Sequence, residues 1–517
     1  MTTQSATAAD EHQVSLDRAG TLDRRYVTAA LMLVMVLASM EQTITSTAMP
    51  TMIGDLRGFE HYSWVVSVYL LALTVSMPLY GRLADVLGRK RVILAAILIF
   101  SAGSALAAFA RTMNQLIVFR GLQGLGAGGI MPVVLTILGD IFTLEERATV
   151  QGLFSAIWGT ASLAGPALGA FLVSTLGWRS IFFVNLPTGV IAMGVLAWKY
   201  HDHEKPHSTD LDLPGVISLS IACTGLLLLA SGVGPGERAW AWNAGLVVIS
   251  GIALIAFLRI ERGAPNAIMP PALFLKRAIG PAMLGSFLLG AGFLCLDTYV
   301  PLYVQGGRGG GVGAAAGVVT PVMLTWALSG IIAAPLVVNW GFRNTALLGS
   351  GLVIISFVGL LLCAFLRAPH WVLTAVLALT GCGFGPASMA YLLAAQHAVA
   401  WQQRGIITSG IQFFRTIGGA IGTGLLGMLF NVLIRPQIQR LHASGIDPAT
   451  LLEPSAHNRL SSAVLSSIQE MIANGLLWVF VAMLIFACLQ ILATAMMVRG
   501  RSDQPLTRAE AIEALAA

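Results

Sequence analysis

Fourteen apolar runs follow one another along this chain, most of them separated by short polar gaps, and that pattern limits the fold more than any motif does. Their limits are 27–49, 62–81, 92–110, 114–137, 149–173, 180–198, 213–233, 241–258, 279–304, 315–337, 344–366, 371–397, 405–431 and 473–498. A helix needs about 20 apolar residues to cross the hydrocarbon core of a bilayer. In lipid every backbone N–H and C=O must be satisfied within the protein, so only helices or closed barrels cross it. The runs are continuous rather than alternating, which excludes a barrel. Charge is scarce almost from end to end: 10% of the 517 residues are charged and 56% are hydrophobic, where a soluble domain carries roughly a quarter charged residues. The expectation is an all-α, multi-pass integral membrane protein with fourteen spans. The seventh and eighth are divided by "SGVGPGERAWAW", where Gly234, Pro235 and Gly236 make a turn and Trp240 and Trp242 suit an interface.

Lys and Arg set the orientation. With the N-terminus inside, the inner segments hold nineteen basic residues, among them Arg24, Arg25, Arg82, Arg89, Lys90 and Arg91. The outer segments hold nine, including Arg57, Arg179, Arg308 and Arg367. The bias places both termini in the cytoplasm. The net charge of +6 lies in these short loops and is no nucleic-acid signature. Residues 1–26 are polar, and no cleavable signal is expected. The five cysteines (Cys223, Cys295, Cys363, Cys382, Cys488) fall inside apolar runs without metal-ligand spacing and are read as packing residues. No GxSxG elbow, His pair or phosphate loop ending in Gly-Lys-Ser/Thr occurs, so neither an enzyme nor ATP-driven transport on this chain is expected, and no cofactor or metal. "TRAE", Thr507 to Glu510, is a capping box that opens a short surface helix.

An ionisable residue inside a span is costly and is a functional candidate by default. Four occur: Glu41 in span 1, Arg120 in span 4, Asp297 in span 9 and Arg415 in span 13. Helical spacing gives each a neighbour: Thr45, Gln123, Pro301 and Gln412 respectively. Either carboxyl can be a hydrogen-bonded packing group, or one that takes up and loses a proton as its surroundings turn wet and dry. An arginine cannot deprotonate. Its alternatives are a structural ion pair or carbonyl clamp, a charge that tunes a carboxylate, and a hold on a polar substrate group. Glycines crowd span 4 (Gly121, Gly124, Gly126, Gly128, Gly129), span 5 (Gly159, Gly165, Gly169, with Pro166 between the last two) and span 13 (Gly418, Gly419, Gly422, Gly424), which lets helix backbones approach closely.

With these features in place the chain resembles the major facilitator superfamily. "GRLADVLGRKR", Gly81 to Arg91, is similar to the signature loop between spans 2 and 3 of that family, and its Gly81, Asp85, Gly88, Arg89, Lys90 and Arg91 would form the cytoplasmic gate. Asp85 and Arg89 are four apart and can pair, and an acid there can also meet the N-terminus of another helix. "RGLQGLG", Arg120 to Gly126, resembles the span-4 motif of proton coupling. "GTASLAGPALG", Gly159 to Gly169, resembles the antiporter motif of span 5. "MEQTITSTAMP", "WRSIFFVNLPTG" and "QFFRTIGGA" resemble the fourteen-span drug:proton antiporter branch. Glu41 stands where that branch usually has Asp. The matching loop of the second half, "NWGFRN", lacks the acid, so no second latch is expected there.

The resemblance implies a cytoplasmic tail (1–26), a six-helix bundle (27–198), an inserted pair of spans with flanking loops (199–278), a second six-helix bundle (279–498) with an outer loop at about 432–472, and a tail (499–517). The two bundles would rock about a central site. It implies a multi-pass protein of the cell membrane, the bacterial inner membrane, that exports amphipathic drugs or toxic compounds in exchange for protons, with the proton gradient as energy source. Glu41, Asp297 and Arg120 would couple the proton. Gln123, Tyr299, Gln412 and Arg415 would face the substrate, with Met35, Met40, Phe293, Tyr303, Trp326 and Phe414 as further lining. Its partners would be protons, a small-molecule substrate and lipid, with room for a periplasmic adaptor and none for nucleic acid. Two rival readings are a dedicated exporter of one metabolite, such as a siderophore or biosynthetic product, and a sensor that has lost transport.

Overall fold

A computed structural model of the chain describes residues 3–56, 62–142, 144–201, 212–230, 239–264, 267–310, 312–399, 403–443 and 462–498. Sixteen α-helices make up the fold, with no strand among the described residues. They are α1 (Thr3–Leu56), α2 (Tyr62–Leu87), α3 (Arg89–Ala108), α4 (Met113–Ile141), α5 (Leu144–Leu176), α6 (Ser180–Phe183), α7 (Asn185–Lys199), α8 (Leu213–Ala230), α9 (Ala239–Gly263), α10 (Pro271–Phe274), α11 (Gly280–Leu302), α12 (Val312–Trp340), α13 (Phe342–Phe365), α14 (His370–His397), α15 (Arg404–Ala443) and α16 (Ser462–Ala495). A π-helical turn, Tyr303–Gly307, extends α11.

Within the described residues, every apolar run read from the sequence lies mainly on helix. Among the described residues eleven helical stretches are long and apolar enough to cross a membrane. The other three predicted spans fall on α1, α5 and α8, the last holding only the shorter apolar stretch Pro214–Leu229. The sixth predicted span is divided into α6 and α7 at Val184. Pro187 has no N–H to offer the carbonyl of Phe183 four residues earlier, so one bond of the ladder is missing there. The turn at Gly234–Gly236, the outer-loop residues 444–461 and "TRAE" lie outside the described residues, as do the surroundings of Gly159 and the side chain of Pro166.

The chain forms two compact units. The first comprises Met1–Thr143, Ala161–Asp210 and the short segment Trp401–Ile406; the second comprises Leu144–Thr160, Leu211–Ala400 and Ile407–Ala517. In the first, α4 packs on both α2 and α3. The span-4 glycines make that approach possible: a Cβ on Gly126 would overlap the backbone N of Phe100, and one on Gly124 the carbonyl of Tyr69. The glycines of α15 do the same in the second unit, with Gly418 against the Phe287 backbone and Gly422 against Ala291 of α11. There α12 and α13 both pack on α14, and α8 packs on α9 as a hairpin.

Two glycines break the chain in the same way in the two units. Gly88 (φ +92°) precedes α3 and Gly341 (φ +80°) precedes α13, both in a left-handed region that a side chain resists. They turn the backbone sharply between consecutive long helices. At the far end of the first unit the end of α1 is tied down. Asp55 accepts from Trp178 Nε1 (2.9 Å) and Arg179 Nη1 (2.7 Å), and Arg179 also donates to the carbonyl of Ala110.

Candidate functional site

Three groups of polar side chains stand out, and the first surrounds Gly88. Arg89 is nearly fully buried, and its guanidinium is spent on three acceptors. Nη2 meets Asp85 Oδ1 at 3.1 Å, Nε meets Asp140 Oδ2 at 3.1 Å, and Nη1 donates to the carbonyl of Ala84. Asp85 in turn accepts the backbone N–H of Gly405 (3.1 Å) and of Ile406 (3.0 Å), the first turn of α15. An acid at a helix start meets unpaired donors and the positive end of the helix dipole, so the contact expected for Asp85 is present. Gly405 is required for it: a Cβ there would lie 2.5 Å from Asp85 Oδ1 and 2.6 Å from the carbonyl of Gly81. Arg404 completes the cluster, donating to the carbonyl of Gly139 at 3.0 Å and lying 3.7 Å from Asp140. Lys90 is half-buried and Arg91 exposed. In the second unit, the loop at Gly341 repeats the backbone turn without the chemistry. Its Arg343 caps the carbonyl of Ala495 and its Asn344 that of Trp340.

The second group is closed off inside the first unit. Glu41 of α1 and Arg120 of α4 form an ion pair, both almost fully buried. Thr45 donates to Glu41 Oε1 at 3.0 Å and Asn185 Nδ2 to Oε2 at 2.6 Å. Arg120 also donates to Gln123 Oε1 (2.7 Å) and lies over the ring of Tyr69, 4.1 Å from its centre. Gln123 and Asn185 both reach Ser104 Oγ. Each carboxylate oxygen therefore meets a fixed donor, and each polar group of Gln123 is used. The ion pair and the amides of this network are partnered, which rigidifies a buried polar cluster, while the buried Tyr69 hydroxyl has no partner among the described residues.

The third group lies in the second unit and differs in character. Asp297, near the end of α11, has an exposed side chain, and Arg415 of α15 is half-buried. Neither has a hydrogen bond or ion pair with any described residue. Asp297 stands one turn beyond Phe293, whose ring packs on Trp326 at 4.8 Å and on Phe384 at 5.9 Å. Gln412 is buried, and Tyr299 is buried with its hydroxyl donating to the carbonyl of Thr423 at 2.6 Å. In α5, Gly165 and Gly169 are buried. Met35 and Tyr303 belong to the core, while Phe293, Trp326 and Phe414 are half-buried. Among the described residues no group of His, Cys, Asp and Glu is arranged to hold a metal ion.

Residues 31–423 match the Major Facilitator Superfamily. The chain belongs to that superfamily. Among curated relatives of this transporter, the multidrug transporter protein MdtP of Bacillus subtilis is 34% identical over 79% of this chain and 75% of its own. Multidrug resistance protein 3 of the same organism is 29% identical over 89% and 92%, and citrate exporter 1 of Yarrowia lipolytica 30% identical over 77% and 60%. In fold the transporter is similar to the human organic anion transporter MFSD10, with a TM-score of 0.58 at 14% identity over 90% of this chain and 99% of that one. It is also similar to the proton:xylose symporter XylE, with a TM-score of 0.54 at 12% identity over 90% and 94%.

Sequence reading of the transporter missed three residues. Asp140 closes α4 and holds Arg89, 51 positions away, so no local spacing pairs them. Asn185 and Ser104 complete the Glu41 cluster. The signal for Asn185 was present, a strongly polar side chain inside "FFVNLPTG", two residues before a proline.

Proposed function

We propose that this superfamily member is a proton-coupled antiporter that exports amphipathic small molecules by alternating access, with both termini in the cytoplasm. The observation that carries the proposal is the contrast between the two intramembrane carboxylates. Glu41 is met by donors at both oxygens, whereas Asp297 is exposed and has no partner among the described residues. An unpaired carboxylate inside a span is poised to take a proton or a cation, and one site serving both makes exchange obligatory. Relatives named for multidrug transport support the breadth of substrate. The Asp85 cluster is the gate in this reading: its bonds to the first turn of α15 hold one state and break in the other. A charge crossing the membrane field is worth about 2.3 kcal/mol per 100 mV, so one or two protons drive a useful gradient.

The test is substrate-evoked proton movement in proteoliposomes over a pH series. Asp297→Asn, a mimic of the protonated acid, should abolish uphill export and proton movement while still letting a neutral substrate run downhill. Full proton coupling in that variant would overturn the assignment.

A further inference from the structure

The two unpaired charges of the second unit carry an inference about substrate class, which rests on the transport reading above. Arg415 is positive at every working pH, and an arginine inside a span without a counter-charge is costly enough to need a partner in the working cycle. Asp297 has the same need with the opposite sign. Helix geometry relates their positions along the backbone. Gly290 of α11 lies directly against the backbone of Arg415. Asp297 is seven residues further along α11, on nearly the same face, two turns or about 10 Å away. Between Gly290 and Asp297 stands Phe293, with Trp326 and Phe384 packed on its ring. Along α11 the contact with the Arg415 backbone at Gly290 is thus followed by an aromatic surface and then an anion.

We propose that this strip binds a zwitterionic amphipath. Arg415 takes a carboxylate, Asp297 takes an ammonium group at the other end of the ligand, and an aromatic body lies on Phe293 and Trp326. Only the ammonium end competes with the proton, so the carboxylate end sets selectivity without touching coupling. A guanidinium binds carboxylate through two parallel N–H bonds, and aromatic faces attract the edge of a second ring.

The test uses purified protein in detergent, where no gradient is present and binding alone is read. The probe is 4′-(aminomethyl)biphenyl-4-carboxylate, a rigid rod with its charges at opposite ends. Its methyl ester keeps only the cation, and its N-acetyl derivative only the anion. Native protein should bind the zwitterion about tenfold or more tighter than either derivative, the worth of one charged hydrogen bond in a sheltered site. Arg415→Gln should bring the zwitterion-to-ester ratio close to one, and Asp297→Asn should do the same for the zwitterion-to-acetyl ratio. Arg415→Lys should keep most of the first preference, separating lost charge from lost fold. Equal binding of the three compounds by native protein, or one uniform loss across all three in Arg415→Gln, would overturn the proposal. Intact selectivity in a protein that exports without moving protons would sink the antiport reading and leave this one standing.

Discussion

The Glu41–Arg120 pair permits a prediction with a sign that is easy to get wrong. If Glu41 were a freely cycling proton carrier, Glu41→Gln would be a harmless mimic of its protonated form. The geometry says otherwise. Arg120 Nη1 faces Oε1 and Asn185 Nδ2 faces Oε2, so a Gln amide must set its NH2 against a donor in either orientation. It also leaves the Arg120 charge without a counter-charge at 1% exposure. Removing one partner of a buried pair costs about 3–5 kcal/mol, whereas replacing both with neutral groups costs far less. The double variant Glu41→Gln, Arg120→Gln should therefore be more stable than Glu41→Gln alone by about 2 kcal/mol or more. Unfolding can be followed in detergent with a thiol-reactive dye, because Cys223, Cys295 and Cys363 are buried free cysteines that become reactive on opening. The single variant should unfold several degrees below the native protein, with the double variant between them. A single variant as stable as native protein, or a double variant no better than the single, would refute the closed-network account.

Other outcomes can be stated briefly. Gly405→Ala and Asp85→Asn should each reduce transport about tenfold or more at normal surface level, because both remove the same two charge-assisted bonds, and combining them should cost little beyond either alone. Gly88→Ala should destabilise the protein by about 1–3 kcal/mol, the cost of a Cβ in a backbone region open essentially to glycine alone; an unchanged unfolding midpoint would count against it. The bond from Trp178 Nε1, and then that from Arg179, hold Asp55 below its ordinary value of 3.8. Its contribution to stability is therefore present at neutral pH and fades only as pH falls below that value, so the difference in unfolding midpoint between native protein and Asp55→Ala should vanish in strong acid. A single cysteine placed between 444 and 461 should react with an impermeant reagent from outside, and one near the C-terminus only after permeabilisation; the reverse would refute the orientation.

Much of this architecture could be read from residues one helix at a time. The apolar runs located the helices, and spacing paired Glu41 with Thr45, Arg120 with Gln123 and Asp85 with Arg89, all within one turn. What spacing cannot convey is which helices adjoin. Glu41 and Arg120 are 79 positions apart, Glu41 and Asn185 144 apart, and Asp85 and Ile406 321 apart. Those pairings arise from packing that the glycines of α4 permit but do not specify. The same limit explains Gln123 and Tyr299. The resemblance set both against the substrate, but Tyr299 donates to α15, and Gln123 accepts from Arg120 of its own helix and donates to Ser104 of α3. The loss of the acid in "NWGFRN" was visible, while the left-handed turn retained at Gly341 was not, because glycine alone does not announce its φ.

The seam between α11 and α15 has a bearing on how this protein can change. At Gly290, Gly418 and Gly422 the smallest possible side-chain addition would meet another helix's backbone or a Cβ, so mutation has nowhere to go there. Phe293, Trp326 and Phe384 touch one another through rings, which can be exchanged for other apolar shapes of similar volume. Under selection for a new toxic compound, replacements should gather on that aromatic patch while the seam stays fixed. Substrate range can then drift across generations on a scaffold whose helix crossing cannot.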